Sequence, residues 1–147
     1  METLFEFADV HVVAEETPIL TGIEVTVPVG RLTVVAGASG SGKTSLLRLC
    51  NRLDVPTAGR VMYRGADLTS IDPRALRRQV GMVFQRPVLF PGTVRNNLAE
   101  ADETATDAEM VATLAKVDLG PEFLDRIGDD LSGGEAQRVC LARALMC

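Results

Sequence analysis

One stretch constrains the fold of this chain more than any other. Residues 37–44 read Gly-Ala-Ser-Gly-Ser-Gly-Lys-Thr, which is the spacing of a phosphate-binding loop. The apolar, β-branched run Leu32–Ala36 before it predicts a buried parallel strand, and the helical spacing of apolar residues in Ser45–Leu53 predicts a helix after it. A strand that turns directly into a helix leaves backbone N–H groups at the positive end of the helix dipole. The stretch therefore predicts an anion site.

The residue types in this loop also suit a nucleotide. Glycines adopt positive φ and let phosphate oxygens approach the backbone. Lys43 is expected to reach the β- and γ-phosphates, and Thr44 to bind Mg²⁺ through its hydroxyl. The alternative is a Gly- and Ser-rich surface turn before a helix, which the flanking strand and helix disfavour. The predicted nucleotide-binding residues are Gly37, Ala38, Ser39, Gly40, Ser41, Gly42, Lys43 and Thr44.

Composition narrows the class of protein. The chain has 147 residues, of which 46% are hydrophobic, so it is one domain or part of one. A net charge of −5 argues against a nucleic-acid-binding surface. There is no apolar run of about eighteen residues and no basic n-region at the start, so we predict neither a membrane span nor a signal peptide. Three scattered cysteines fit a reducing cytosol: Cys50, Cys140 and Cys147.

The pattern around the loop predicts a mixed α/β fold. Residues 5–12 alternate imperfectly and Ile23–Val29 alternates strictly, which predicts an antiparallel pair of strands before the loop. After the loop helix, Arg60–Arg64 predicts a short strand and Val80–Phe84 a second buried strand. Gln85 follows the end of that strand, where open α/β sheets place residues that contact ligands.

The rest of the chain predicts helices. Proline at a first helical position predicts a turn at Pro73–Arg78, and further helices are predicted at Val94–Ala101 and Pro121–Ile127. The spacing of Thr106 and Glu109 is that of a capping box, with Val111, Leu114 and Val117 on one face of the helix that follows. We predict a division into an antiparallel β part (1–30), a phosphate-loop core (31–85), a helical insertion standing out from the sheet (86–130) and a final motif with its helix (131–147).

That final motif is Leu-Ser-Gly-Gly-Glu-Ala-Gln-Arg at residues 131–138. Ser132 is a candidate N-cap of a long helix. Gly133 and Gly134 leave backbone N–H groups bare at the positive end of that helix, which makes a second anion-binding device. Taken alone, the motif is equally explained as a cap before an amphipathic helix.

Together the two motifs give the chain a specific resemblance. Residues 131–138 resemble the signature motif of ATP-binding cassette (ABC) ATPases, and residues 37–44 resemble their Walker A motif. Phe84-Gln85 is similar to the family's Q-loop, and residues 56–61 to the turn after its first helix. Residues 90–98 look like the start of the helical subdomain in bacterial transporter cassettes. Apart from residues 90–98, these stretches are four motifs that occur in the family's order along the chain: 37–44, 56–61, 84–85 and 131–138.

The resemblance implies a function and its residues. It implies an α/β P-loop NTPase fold, with an antiparallel β subdomain and a helical insertion, that binds ATP and Mg²⁺. It implies the ATP-binding subunit of a bacterial-type ABC transporter, peripheral on the cytoplasmic face of the cell membrane. Its partners would be a second ATP-binding subunit and a transmembrane permease, contacted around residues 85–98. Gln85, with Thr44, would contact Mg²⁺ and position the attacking water. The signature residues would cap the partner subunit's ATP: Leu131, Ser132, Gly133, Gly134, Glu135 and Gln137.

Two features depart from the family pattern. The family usually carries an aromatic residue before the second strand to stack on adenine; our register places Ala14 there, with His11 and Val13 nearby. As the lone histidine on an exposed strand, His11 is expected to be structural. The family also continues after the signature helix with an Asp-Glu strand and a switch histidine, whereas this chain stops at Cys147. We therefore expect a fragment or a truncated product, lacking the C-terminal part of the core, that does not turn over ATP by itself.

Two other hypotheses remain open. One is a soluble ABC ATPase of DNA repair or translation. Repair types carry a long coiled coil between the two phosphate-binding motifs, and no sustained heptads lie between Thr44 and Leu131 here; translation types carry two cassettes. The other is a nucleotide-binding or inert remnant that does not hydrolyse ATP. A generic P-loop kinase has no use for residues 131–138.

Overall fold

A computed structural model describes residues 2–146 of the chain. They form two compact units, the first ending at Val80 and the second beginning at Gly81. The four-part division predicted from the sequence is finer than this and stays a prediction. Within residues 2–146, no helix combines the length and apolar character needed to cross a membrane.

The first unit is built on a four-stranded antiparallel sheet in the order β2-β1-β3-β4. The long strands β1 (Thr3–Ala14) and β2 (Thr17–Pro28) pair along most of their length, and β3 (Ala58–Tyr63) pairs with the other edge of β1. The short β4 (Ala66–Asp67) closes the sheet. The predicted antiparallel pair and the predicted strand near Arg60 are thus confirmed.

The core of the first unit lies where this sheet meets two helices. The predicted helix after the loop is α1 (Lys43–Cys50), and the predicted proline-led helix is α2 (Pro73–Gln79). Asp72 accepts the N–H groups of Arg74 and Ala75, which provides the cap that a helix beginning with proline needs. Alternate residues of β1 point into the core with one residue from each helix: Phe5, Phe7, Val10, Val12, Leu49 and Leu76.

Two predicted strands are absent from the described residues. Leu32–Ala36 and Val80–Phe84 are irregular, and no described segment pairs with either of them. Leu32 is 93% exposed and Val34 is 76% exposed, so the first of these runs is not buried. An apolar β-branched run favours a strand only where a neighbouring backbone supplies the ladder of hydrogen bonds. The predictions of a buried parallel strand at Leu32–Ala36 and of a second buried strand at Val80–Phe84 were therefore wrong for this structure.

The second unit is helical, with α3 (Val94–Ala99), α4 (Asp107–Ala115) and α5 (Gly133–Leu145). The predicted capping box at Thr106 and Glu109 is confirmed, as is Ser132 as the N-cap of α5. The predicted helix near Pro121 is only a 3₁₀ turn, Pro121–Phe123. All three helices contribute apolar residues to one core, among them Val94, Leu98, Leu114, Val139 and Ala142.

Candidate functional site

The phosphate-type loop lies between the irregular run 32–36 and the start of α1. Gly40 and Gly42 adopt left-handed backbone conformations, with φ of +79° and +85°. Gly42 is also the N-cap of α1, and no side chain caps that helix. A Cβ on Gly42 would lie 2.9 Å from the carbonyl oxygen of Ile19 and 2.7 Å from Leu20 Cδ2. The loop therefore packs directly on β2, and this close approach requires glycine.

Lys43 closes the loop into an arch. Its Nζ donates to the carbonyl oxygens of Gly37 at 2.9 Å and Ala38 at 2.5 Å, and to Ser41 Oγ at 3.4 Å. The ammonium group is thereby held inside the curve of the backbone, beside the uncapped first turn of α1. A cation and a helix N-terminus placed together favour an anionic ligand.

A cleft of about 390 Å³ opens beside this arch. One wall is the loop itself, at residues 40–45, and the other is the beginning of β2, at Thr17, Pro18 and Ile19. The sequence reasoning missed these three residues. The alternation that begins at Ile23 indicated β2, but it did not show that the earlier part of the strand turns toward the loop.

The residues expected near the adenine base lie on the hairpin formed by β1 and β2. Ala14 is exposed and pairs with Thr17 at the end of the hairpin, and Val13 is also exposed. His11 Nε2 lies 3.0 Å from Asp9 Oδ1, and its Nδ1 accepts the N–H of Gly22 at 3.4 Å. The first contact lies within β1 and the second joins β1 to β2, in keeping with the structural role expected for His11.

The second motif forms the start of α5. Ser132 Oγ accepts the N–H of Glu135 at 3.3 Å, and Glu135 Oε2 accepts the N–H of Ser132 at 2.7 Å, which completes a capping box. Gly133 and Gly134 are exposed, and a Cβ on Gly133 would meet nothing within 4 Å. This end of α5 therefore presents backbone to solvent with space in front of it.

Glu135 is charged at neutral pH. Its pKa is lowered to about 2, first because it accepts the backbone N–H and the hydroxyl of Ser132, and then because it accepts a hydrogen bond from Arg126. Arg126 Nη1 lies 3.0 Å from Glu135 Oε1. Arg126 is a further residue that the sequence reasoning missed, because it precedes the motif by several residues and belongs to no recognised pattern.

The segment around Gln85 is attached to α5. Gln85 itself is exposed. Directly before it, the carbonyl oxygen of Phe84 accepts a hydrogen bond from Gln137 Nε2 at 2.8 Å. The carbonyl oxygen of Val88 accepts from Arg143 Nη2 at 2.8 Å. The second unit thus brings the Gln85 segment and the signature helix together.

Asn97 of α3 completes this attachment. Its side chain is fully buried, accepts the N–H of Phe90 at 2.8 Å and donates to the carbonyl oxygen of Phe90 at 3.0 Å. Arg143 Nη1 donates to Asn97 Oδ1 at 3.2 Å, and the guanidinium carbon lies 4.7 Å from the centre of the Phe90 ring. Segment 84–90 is therefore held by side chains of α3 and α5, although it has no regular secondary structure.

Comparison with known proteins agrees with this geometry. A family model described as ABC transporter matches residues 20–147. The chain belongs to the ABC transporter family. The predicted resemblance and the predicted P-loop fold class are confirmed, and the Walker A and signature motifs both fall within the matched residues.

Relatives of this ABC protein include transport proteins of several kinds. It is 46% identical over 131 residues to protein STAR1 of Oryza sativa subsp. japonica, covering 86% of this chain and 38% of the relative. It is 42% identical over 154 residues to the mycobactin import ATP-binding/permease protein IrtB of Mycolicibacterium thermoresistibile, covering 96% of this chain and 26% of the relative. The chain thus spans between about a quarter and two fifths of the length of these two proteins.

Solved structures match nearly the whole ABC chain. A bacterial Atm1-family ABC exporter with ATP bound gives a TM-score of 0.87 at 32% identity, covering 99% of this chain and 28% of the exporter chain. The cbiO1 protein of Clostridium perfringens, described as part of an ABC transporter complex, gives a TM-score of 0.84 at 22% identity, covering 99% of this chain and 62% of that one. The second likeness is one of fold.

The loop of this ABC domain fits the triphosphate that the family binds. The arch around Lys43 and the uncapped start of α1 suit phosphate oxygens. The described residues contain no cluster of His, Cys, Asp or Glu able to hold a metal ion by themselves. Thr44, exposed in the first turn of α1, offers one hydroxyl. This suits Mg²⁺, which commonly keeps several waters and takes its other ligands from substrate phosphates.

Proposed function

We propose that this chain is the ATP-binding part of a bacterial-type ABC transporter, in which ATP binding and hydrolysis drive transport through a membrane partner. The observation that carries the proposal is the arch of residues 37–44 around the Lys43 ammonium, beside a cleft large enough to admit part of a nucleotide. Phosphoryl transfer depends mostly on positioning and on neutralising charge. An arch with a fixed cation supplies both for the phosphates.

We propose a role for each site residue that is compatible with its surroundings. Residues 37–44 would hold the phosphates, and Thr44 would bind Mg²⁺ through its hydroxyl. Gln85, which is exposed within segment 84–90, would act on Mg²⁺ and the attacking water. The open N-terminal face of α5 supports a role for Ser132, Gly133 and Gly134 in capping the terminal phosphate of ATP held by a second subunit.

The membrane partner is proposed from the relatives and from one surface. The relatives include an import ATP-binding/permease protein and an ATP-dependent lipid A-core flippase, which supports a membrane partner for this chain. Val88 and Phe90 are exposed on the segment that Asn97 and Arg143 hold in place. A held segment with exposed apolar side chains is suited to a permease contact on the cytoplasmic face of the membrane.

We also propose that residues 1–147 by themselves bind MgATP without steady hydrolysis. The acidic pair that the family resemblance places after the signature helix, as Mg²⁺ ligand and general base, has no counterpart in these residues. Steady phosphate release from this chain that is abolished by Lys43→Ala would contradict this proposal, because another carboxylate would then be acting as the base.

Calorimetric titration with MgATP tests the nucleotide site. Lys43→Ala removes charge-assisted hydrogen bonds to phosphate, each worth about 1.5–3 kcal/mol, so the affinity should fall about tenfold or more. The matched control is Lys116→Ala, an exposed lysine just after α4, which should leave the affinity unchanged. Equal affinity of Lys43→Ala and the unaltered chain would contradict the proposed site.

A further inference from the structure

Arg126 lies outside the recognised motifs, and its side chain makes both polar and aromatic contacts. Its guanidinium donates to Glu135 Oε1 at 3.0 Å and to the carbonyl oxygen of Asp130 at 3.4 Å. The same group lies over the ring of Phe123, with 4.6 Å between Cζ and the ring centre. Arg126 therefore joins the 3₁₀ turn Pro121–Phe123, the residues just before the signature motif and the first turn of α5.

Several carboxylates lie near the N-terminus of α5, and a cation there would offset their negative charge. Asp129 and Asp130 are exposed directly before the motif, and the Glu135 carboxylate lies within its first turn. Carboxylates repel a phosphate group, and the repulsion acts against the helix dipole that would attract it. On the other side, Arg138 Nη1 lies 3.9 Å from the position of a Cβ on Gly134. Three carboxylates thus lie near this helix end with two cations, and without Arg126 only Arg138 would remain to offset them.

The charge of Glu135 is not needed for its capping role. A glutamine at this position of a capping box also accepts the N-cap N–H. The negative charge of the Glu135 carboxylate is therefore compatible with a neighbouring anion site only while a nearby cation neutralises it. Arg126 is placed to do so, since its bond goes to Oε1 while Oε2 accepts the Ser132 N–H at 2.7 Å.

We propose that Arg126 is a positioning residue of the signature motif. It neutralises and orients Glu135, so that the face formed by Ser132, Gly133 and Gly134 accepts the terminal phosphate of a nucleotide held by a second copy of the chain. The inference rests on the proposed function. It adds to that function the residue that makes a motif containing Glu135 compatible with a bound phosphate. Arg126 itself touches no phosphate in this account.

A double-mutant cycle with Glu135→Gln tests this role. Association of the full chain in MgATP is measured by sedimentation velocity, and the MgATP affinity of the dilute monomer by calorimetry. Arg126→Met should weaken MgATP-dependent association about tenfold, because it leaves an uncompensated carboxylate beside the phosphate, and should leave the monomer's MgATP affinity within about twofold. Arg126→Met with Glu135→Gln should recover most of that loss, and Arg126→Lys should lose less than Arg126→Met.

Arg95→Met is the matched control. Arg95 pairs with Asp107 and Asp125 in the same unit, so its loss removes a comparable surface ion pair without touching the signature motif. It should leave association unchanged. Recovery in the double variant separates electrostatic compensation from simple loss of structure, because a structural defect of Arg126→Met would persist when Glu135 is also changed.

The outcomes separate this inference from the proposed function. Association of Arg126→Met within twofold of the unaltered chain, or no recovery in the double variant, would overturn the role of Arg126. An unaltered chain that binds MgATP but stays monomeric would overturn it as well, while leaving the proposed nucleotide site standing. An unaltered chain that binds no MgATP would overturn the proposed function first.

Discussion

Replacing Gly42 with alanine tests whether the phosphate loop is built on β2. Two costs arise at this position. Its φ of +85° is a left-handed conformation, which costs a residue with a side chain about 1–2 kcal/mol. The new Cβ would also lie 2.9 Å from the Ile19 carbonyl oxygen, which is backbone and cannot move unless β2 shifts. Overpacking of this kind adds about 1–3 kcal/mol, so the total loss should be about 2–5 kcal/mol.

Gly40→Ala provides the control, because it carries only the first of these costs. Its φ is +79°, but a Cβ there would meet nothing within 4 Å. It should lose only about 1–2 kcal/mol of unfolding free energy. The difference between the two variants isolates the contact between the loop and β2.

Urea unfolding followed by tyrosine fluorescence measures both variants. The chain has one tyrosine and no tryptophan, and Tyr63 is buried in the core of the first unit, so the signal reports the unit that contains the loop. The midpoint should be lowest for Gly42→Ala and intermediate for Gly40→Ala. Gly42→Ala should also weaken MgATP binding, because β2 and the loop must separate. Equal losses of stability in the two variants would refute the close packing of the loop on β2.

Two further predictions concern the second unit. Asn97→Ala should lower the unfolding free energy of the second unit by about 2–4 kcal/mol, because the N–H of Phe90 loses its buried acceptor. Asn96→Ala should cost only about 1 kcal/mol, because it removes one hydrogen bond of the capping box of α3. Urea unfolding followed by circular dichroism compares the two variants. Glu135, with its pKa lowered to about 2, stabilises the fold above its unfolded pKa of about 4.5, and this contribution should fade as the pH drops from about 5 to about 2. The difference in unfolding free energy between the unaltered chain and Glu135→Gln should therefore shrink over that pH range. A difference that does not change with pH would contradict an ionised cap. Glu103→Gln controls for the loss of a surface charge.

Much of this fold was predictable because it depends on local chemistry. Pro73, Thr106 and Ser132 were recognised as helix starts, since a cap is satisfied by residues within one turn. The strands β1 and β2 were predictable from alternation, because hydrogen bonds and a shared core run along a single hairpin. These signals need no knowledge of distant parts of the chain.

Several of the errors and omissions depend on parts of the chain outside the local pattern. Leu32–Ala36 has the composition of a buried strand, but composition does not supply a neighbouring strand. Thr17, Pro18 and Ile19 line the cleft only because the loop packs on β2, more than twenty residues away. Arg126 meets Glu135 because the 3₁₀ turn Gly128–Asp130 lies between them and bends the chain back, and a regular spacing of side chains does not encode such a bend.

The central claim is that residues 37–44 hold the phosphates. Amide chemical-shift changes on titration with MgATP test this claim most directly. The largest changes should fall on the backbone N–H groups of residues 40–45, with a second group at Thr17 and Ile19 on the opposite wall of the cleft. Both groups should be lost in Lys43→Ala at the same MgATP concentration. Saturable MgATP binding with its largest shifts outside these residues would contradict the account.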